Sequence, residues 1–115
     1  YQAAAEKNHR EAQLQLGVLY SKGHGVPKDL QVAKHWYRLS AEQGHARAQY
    51  KLGVLLASDQ GGEKNVPEAV AWLELAAAQG SKLSELYRSK LLRRMSHQEL
   101  QESQTLIMRY QRQYG

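Results

Sequence analysis

The sequence predicts an all-α fold, an α-solenoid of stacked antiparallel helix pairs. A framework of small residues and tryptophan recurs at an offset of 36 positions, so that Gly17 returns at Gly53 and Trp36 at Trp72. A fixed period of this length is the signature of a stacked repeat. Apolar residues at helical spacing, and only two prolines, both placed where a helix could begin, support the all-helical interpretation.

The composition is that of an ordinary folded protein, with 42% hydrophobic and 23% charged residues in a chain of 115. This length allows one compact domain or a short array of repeats. Cysteine is absent, which excludes disulfides, thiolate metal sites and cysteine nucleophiles. No apolar run approaches membrane-spanning length. The formal net charge of +5 requires that anionic partners be considered.

We divide the chain into four segments. Residues 1–9 match the end of a second repeat helix at the same offset, with Tyr1 aligned to Tyr37, so we expect the chain to be the C-terminal part of a longer array. Residues 10–45 and 46–80 are two repeats. Residues 81–115 keep helical periodicity but lose the framework, which suits a capping helix pair with nothing stacked on its outer face.

The first repeat is predicted to begin with a helix from about Arg10 to Lys22. Its interior Gly17 costs about 0.5–1 kcal/mol relative to alanine, and its return at Gly53 indicates a neighbouring helix too close to admit a side chain. Asp29 is the expected N-cap of the second helix. We expect Ala12, Leu16, Leu19 and Tyr20 to form the apolar stripe of the first helix, Leu30, Ala33, Trp36, Tyr37 and Ala41 to be buried on the second, and Lys34, His35 and Arg38 to point outward.

The second repeat follows the same plan, with Asn65 as the cap of its second helix and Pro67 in the first turn. We expect its loop at residues 59–64 to be more mobile than that of the first repeat. Ser96 and Glu99 form a capping box that opens the last helix. The inner faces of the two cap helices are predicted to comprise Leu83, Tyr87, Leu91 and Met95, followed by Leu100, Ser103, Ile107, Tyr110 and Tyr114.

Residues 12–46 carry the pattern Ala-x-x-x-Leu-Gly-x-x-Tyr, Gly-x-Gly-Val-x-x-Asp, Ala-x-x-Trp and Ala-x-x-Gly, and residues 48–80 repeat much of it. This pattern resembles the Sel-one-like repeat, a relative of the tetratricopeptide repeat. The resemblance implies a right-handed superhelix whose concave face binds proteins or peptides, as in adaptors and in some bacterial immunity proteins. Residues 81–114 are similar to the C-terminal helices of bacterial members, many of them exported, which favours a periplasmic location.

No set of residues predicts catalysis. The five histidines are scattered, and none forms a His-x-x-x-His pair, so we expect neither a metal site nor a cofactor. The segment at residues 23–25 lacks the preceding strand and the Gly-Lys-Ser/Thr of a phosphate-binding loop, and is interpreted as a turn. The sequence therefore predicts a protein that is not an enzyme.

The first helix of each pair lines the inner curve in related solenoids, so we place the partner site there. Removing the predicted framework from these helices leaves a polar strip, and the candidate partner-binding residues are Gln13, Lys22, Arg47, Gln49, Tyr50 and Lys51. Such a strip suits a peptide backbone or an acidic segment of another protein. The resulting hypothesis is a protein-binding adaptor or scaffold.

Three alternatives stay open. The chain could be an inhibitor or immunity protein for a toxic enzyme, acting through the same surface. It could bind nucleic acid or another anionic polymer through its basic last third, in which case binding would depend steeply on salt. The terminal helix pair could also dock on a partner through Arg93, Arg109 and Tyr110.

Overall fold

The computed structural model describes residues 2–23, 25–58 and 64–114, with side chains from residue 9 onward. In these ranges the chain is all-α and contains no strand, as predicted. The loop at residues 59–63, which we expected to be the more mobile, lies outside the described residues. The helices are α1 (Gln2–Lys22), α2 (Leu30–Glu42), α3 (Ala46–Leu56), α4 (Val66–Ala78), α5 (Lys82–Arg94) and α6 (His97–Tyr114).

Helix α1 runs without a break through residue 9, where the sequence analysis placed a boundary between two helices. It pairs with α2 in antiparallel fashion, because the Asp29 amide donates to the Tyr20 carbonyl at one end and the Arg10 guanidinium donates to the Gln43 carbonyl at the other. Helices α3 and α4 pair in the same way. One apolar core runs through both pairs, and its buried members are Leu14, Ala33, Tyr37, Ala41, Ala48, Leu52, Leu56, Ala69, Trp72 and Leu75.

The predicted helix caps are confirmed. The Asp29 carboxylate accepts the backbone amides of Gln31 and Val32, and Asn65 accepts the amide of Glu68 at 3.1 Å. At the start of α6 the Ser96 hydroxyl accepts the Glu99 amide, and the Glu99 carboxylate accepts the Ser96 amide, which completes the capping box.

The two interior glycines mark the closest approach of paired helices, as the sequence predicted. A Cβ atom on Gly17 would lie 2.5 Å from two ring carbons of Tyr37, whose hydroxyl donates to Ser21. A Cβ atom on Gly53 would lie 2.8 Å from Cγ of Leu73 and 3.2 Å from the carbonyl oxygen of Ala69. The first helix of each repeat therefore rests on the second through a position that only glycine fits.

The predicted apolar stripe of α1 is wrong in phase. Ala12 and Leu19 are exposed, whereas Leu14 and the polar Gln13 are buried. Gln13 Oε1 accepts a hydrogen bond from Gln43 at 2.5 Å. A buried amide of this kind is tolerated because it is hydrogen-bonded. Because Gln13 is polar, the apolar periodicity of α1 did not indicate which of its faces is buried.

Glu68 on α4 is the point at which three helices meet, and sequence analysis missed it. Its Oε2 accepts from Arg38 of α2 at 2.7 Å, from Trp72 Nε1 at 3.2 Å and from the Tyr110 hydroxyl of α6 at 2.9 Å. Arg38, expected to point outward, is thus half-buried in an ion pair. Burial opposes ionisation of Glu68, but Arg38 and these donors outweigh it and hold its pKa below the ordinary value.

The two tryptophans of the repeat framework differ in what covers them. Trp72 is 1% exposed because Tyr110 and Tyr114 lie against its ring, at centroid distances of 4.8 and 5.2 Å. Trp36 has no such cover from α6 and is only half-buried.

The terminal helices do not form a close pair. Helices α5 and α6 each pack on α4 and make few contacts with each other. Arg88 of α5 reaches Glu74 of α4 at 2.8 Å, whereas α6 contacts α4 through Tyr110 and Tyr114. The cap is therefore two helices supported by the last repeat helix, and each has a face that the other does not cover.

Gly17→Ala should lower the free energy of unfolding by about 1–3 kcal/mol, because the added methyl group overpacks the contact with Tyr37. Helix propensity alone predicts the opposite sign, a gain of about 0.5–1 kcal/mol. Urea unfolding followed by circular dichroism measures the change. Gln15→Ala, at an exposed position of the same helix, is the control and should change stability by less than about 0.5 kcal/mol. A stabilised Gly17→Ala variant would contradict the close approach.

Glu68→Gln should lower the free energy of unfolding by about 2 kcal/mol at neutral pH, because it removes charge-assisted hydrogen bonds from a mostly buried site. The pKa of Glu68 is lowered in the folded state, so its contribution is complete above the unfolded carboxyl value of about 4.3 and is lost as the pH falls through the folded value. The difference between wild type and variant should therefore shrink in acid.

Urea unfolding at several pH values measures that difference. Glu102→Gln, at an exposed position on α6, is the matched control and should change stability little at any pH. A difference between wild type and Glu68→Gln that stays constant from neutral pH into acid would contradict the assigned role of the carboxylate.

Candidate functional site

Two adjoining depressions lie on the side of α5 that faces away from α4, and together we call them the α5 groove. The first has a volume of about 410 Å³ and the second about 450 Å³. Lys90, Tyr87 and Arg93 line both. The remaining described residues that line the groove are Tyr50, Leu83, Leu86, Ser89, Leu91 and Arg94.

The groove exposes apolar side chains that do not pack in the core. Leu83 is 63% and Leu86 67% exposed, one helical turn apart on α5. Beside them Tyr50 of α3 meets Tyr87 of α5 edge to face, with ring centroids 6.5 Å apart. Two exposed leucines next to an aromatic pair form an apolar patch of the kind that marks interaction sites on soluble proteins.

A smaller depression of about 180 Å³ lies between α1 and α3, and we call it the α1–α3 cleft. Tyr50 lines both the cleft and the groove, so the two are continuous at this residue. Lys51 on the cleft wall is partly buried. Its pKa lies below the ordinary lysine value, first because burial disfavours the charge and then because the cations Arg47 and Lys22 are near.

The surface formed by the groove and the cleft is basic. Lys51, Lys90, Arg93 and Arg94 line it, and no carboxylate is among the described lining residues. The three ion pairs found between described residues, Arg38–Glu68, His45–Glu11 and Arg88–Glu74, involve none of these four cations. Among the described residues, these four cations are therefore not neutralised by an ion pair.

The structure brings together four of the six predicted partner-binding residues. Arg47, Tyr50 and Lys51 lie on α3 and Lys22 ends α1, and all are exposed or half-exposed. Gln13 and Gln49, expected on the same surface, are 7% and 0% exposed.

Gln49 is buried because it links the two repeats. Its amide donates to the Ala41 carbonyl at 3.2 Å, and its Oε1 accepts from Gln79 at 3.1 Å. Gln13 and Gln43 form the equivalent pair one repeat earlier. These glutamines are part of the repeat framework, and both are removed from the candidate surface.

Sequence analysis also missed the apolar half of the surface. It placed Leu83 on the inner face of α5, but that face is occupied by Ser84, which is fully buried. Extending the 36-residue repeat alignment into α5 would have predicted that these side chains belong to the candidate surface. It aligns Leu83, Leu86 and Tyr87 with Arg47, Tyr50 and Lys51.

Two of the three tyrosines in the basic last third are not available to stack on nucleic-acid bases. Tyr110 and Tyr114 lie against Trp72, and Arg88 is paired with Glu74. Burial, followed by the Glu68 carboxylate, raises the pKa of Tyr110, and its hydroxyl donates to that carboxylate. Docking of the terminal pair through Tyr110 is therefore wrong, because this side chain is already used inside the fold.

Within the described residues, no group of three or more His, Cys, Asp or Glu side chains is arranged to hold a metal ion. Among the same residues, no helix has the length and apolar character needed to cross a bilayer.

The fold and the exposed surface define an α-helical repeat protein with an apolar and basic groove beside its last repeat. A model of the Sel1 repeat matches residues 10–45 and 46–81, which is more than half of the chain, and the chain therefore belongs to the Sel1 repeat family. Sel1 repeats generally mediate protein–protein interaction.

Two examples illustrate the similarity of this chain to solved structures. One is a protective antigen present in uropathogenic Escherichia coli strains that displays an SLR fold, with 32% identity and a TM-score of 0.87 over 98% of this chain and 24% of that one. The other is a Sel1 repeat protein from Oxalobacter formigenes, with 40% identity and a TM-score of 0.70 over 71% of this chain and 24% of that one. The chain thus spans about a quarter of the length of each. A search of curated proteins finds no match.

Lys51→Gln should raise the free energy of unfolding by about 0.5 kcal/mol after allowance for solvent screening. The reason is that it removes a partly desolvated cation from the neighbourhood of Arg47 and Lys22, while helix propensity is nearly unchanged. The folded state disfavours the charged form, so this gain is present at neutral pH and should shrink with added salt.

Thermal unfolding at low and high salt measures the gain. Arg109→Gln, at an exposed position on α6, is the control and should have almost no effect. A destabilised Lys51→Gln variant, or a gain that does not depend on salt, would contradict the crowding of cations at this site.

Proposed function

We propose that this chain is a protein-interaction module, an adaptor or scaffold that binds a segment of another protein in the α5 groove and the α1–α3 cleft. The observation that carries the proposal is the exposure of Leu83 and Leu86 beside Tyr50 and Tyr87. Exposed apolar side chains cost solubility without adding to the core, and a partner that covers them accounts for their presence.

The proposed role is binding without catalysis. The described residues that line the groove and the cleft include no carboxylate and no imidazole, and histidine is the side chain most often used for general acid–base chemistry. The tyrosine and arginine side chains of this surface are of the types enriched at the centres of protein interfaces.

Site-specific photocrosslinking tests the proposal. A photoreactive residue at Ser89, an exposed position in the groove, should capture a discrete protein from a cell extract. The adduct should persist after nuclease treatment and at elevated salt, because a protein partner is held by apolar contacts as well as by charge. Mass spectrometry of the adduct identifies the captured segment.

The matched control is the same photoreactive residue at Met108, which is 62% exposed on α6 and outside the groove. Equal capture from both positions, or no protein adduct at Ser89, would contradict the proposal. An adduct that disappears with nuclease would favour the nucleic-acid alternative. If the captured protein is an enzyme whose activity falls on addition of this chain, the module acts as an inhibitor.

A further inference from the structure

We propose that the α5 groove selects an acidic segment that carries one bulky apolar residue. This inference rests on the proposed function and specifies its partner. The apolar residue would occupy the space beside Leu83, Leu86 and the Tyr50–Tyr87 pair, and the carboxylates would contact Lys90 and Arg93.

The apolar half of the site has the size of an anchor pocket. The whole depression, which Lys90 and Arg93 also line, has a volume of about 410 Å³. This is within the range of small-ligand sites, so the depression can accept a bulky side chain. Two leucines supply aliphatic walls, and the edge-to-face tyrosine pair, with an interplanar angle of 88°, supplies aromatic surface. Such a site favours a leucine-sized or aromatic residue, because burying that side chain displaces water from both partners.

The cations around the anchor pocket are the reason to expect acidic residues in the bound segment. Lys90 and Arg93 line it directly, and Arg94 lines the adjoining depression. Lys51 lines the cleft on the other side of Tyr50. Burial first, and then the neighbouring cations Arg47 and Lys22, lower its pKa. Carboxylates from a partner would relieve this like-charge repulsion, and arginine can hold a carboxylate through two parallel hydrogen bonds.

The repeat register argues that these features are not required by the fold. Leu83, Leu86 and Tyr87 occupy the positions that correspond to Arg47, Tyr50 and Lys51, and all six residues are exposed or half-exposed. In α5 the contact with α4 is made instead by Arg88, and the buried position is Ser84. Leu86 and Arg93 are exposed and are not among the side chains that pack on the core. They can therefore be changed without removing a core contact, which makes the inference testable by substitution.

Selection from a phage-displayed library of random linear peptides on the full chain tests the inference without assuming a partner. The enriched peptides should share a leucine, isoleucine or aromatic residue with aspartate or glutamate close to it. Fluorescence anisotropy of one enriched peptide then measures affinity. Replacing its acidic residues by lysine, or its apolar residue by alanine, should each weaken binding by about tenfold or more.

Substitutions in the protein locate the peptide. Leu86→Asp should weaken binding by more than about tenfold at any salt concentration, because it places a carboxylate in the anchor pocket. Arg93→Glu should weaken it by about tenfold at low salt and by less at high salt. Met108→Asp and Arg109→Glu make the same chemical changes at exposed positions on α6, and each should change affinity by less than about twofold.

Each remaining outcome is decisive. Selection that yields no consensus, a neutral or basic consensus, or a peptide unaffected by Leu86→Asp overturns the inference. The inference is also overturned if a single-stranded oligonucleotide displaces the peptide and binds Leu86→Asp as tightly as wild type. Binding would then depend on phosphate charge and not on the anchor pocket. If crosslinking at Ser89 succeeds while selection fails, the proposed function stands and only the specified partner is wrong. If both fail, both are wrong.

Discussion

The arrangement of this chain depends on the contact between the backbone of one helix and the side chain of the next at Gly17 and Gly53. Because no Cβ atom intervenes, α1 can rest directly on the ring of Tyr37 and α3 on Leu73. This short distance sets the geometry of each helix pair and allows the small residues Ala33 and Ala69 to lie in the same interface. The contact recurs at the repeat interval, so the same geometry is built twice and the core continues from one pair to the next.

The C-terminal helices end the array by a different interaction. These helices do not use a glycine contact of the kind found in the repeats. Helix α6 contacts Glu68 and Trp72 of α4, and α5 forms an ion pair with Glu74 of α4. A carboxylate this buried is stable because Arg38 pairs with it and two neutral donors complete its hydrogen bonds. The same carboxylate links α2, α4 and α6, so the cap is joined to both repeats.

The cap also creates the exposed surface. Because α5 is held by α4 and makes few contacts with α6, the side of α5 next to α3 stays open and displays Leu83 and Leu86. Residues that stabilise the cap and residues proposed to bind a partner thus lie on opposite sides of one helix. Stability and binding can therefore change independently in this protein, as expected when function resides on a surface carried by a rigid repeat scaffold.

The sequence by itself determined the helical class, the repeat period, the caps at Asp29, Asn65 and Ser96 and the tight glycine contacts, because each depends on local backbone chemistry or on spacing within one helix. Only the tertiary structure decided which polar residues are buried. Gln49 and Arg38 look like surface residues in sequence, yet each has its partner 30 positions away. Glu68 lies on α4, and Gln79 directly follows that helix. Exposure of Leu83 was likewise decided by the packing of α5 on α4 through Arg88, since apolar periodicity in a short helix does not specify which face meets the core.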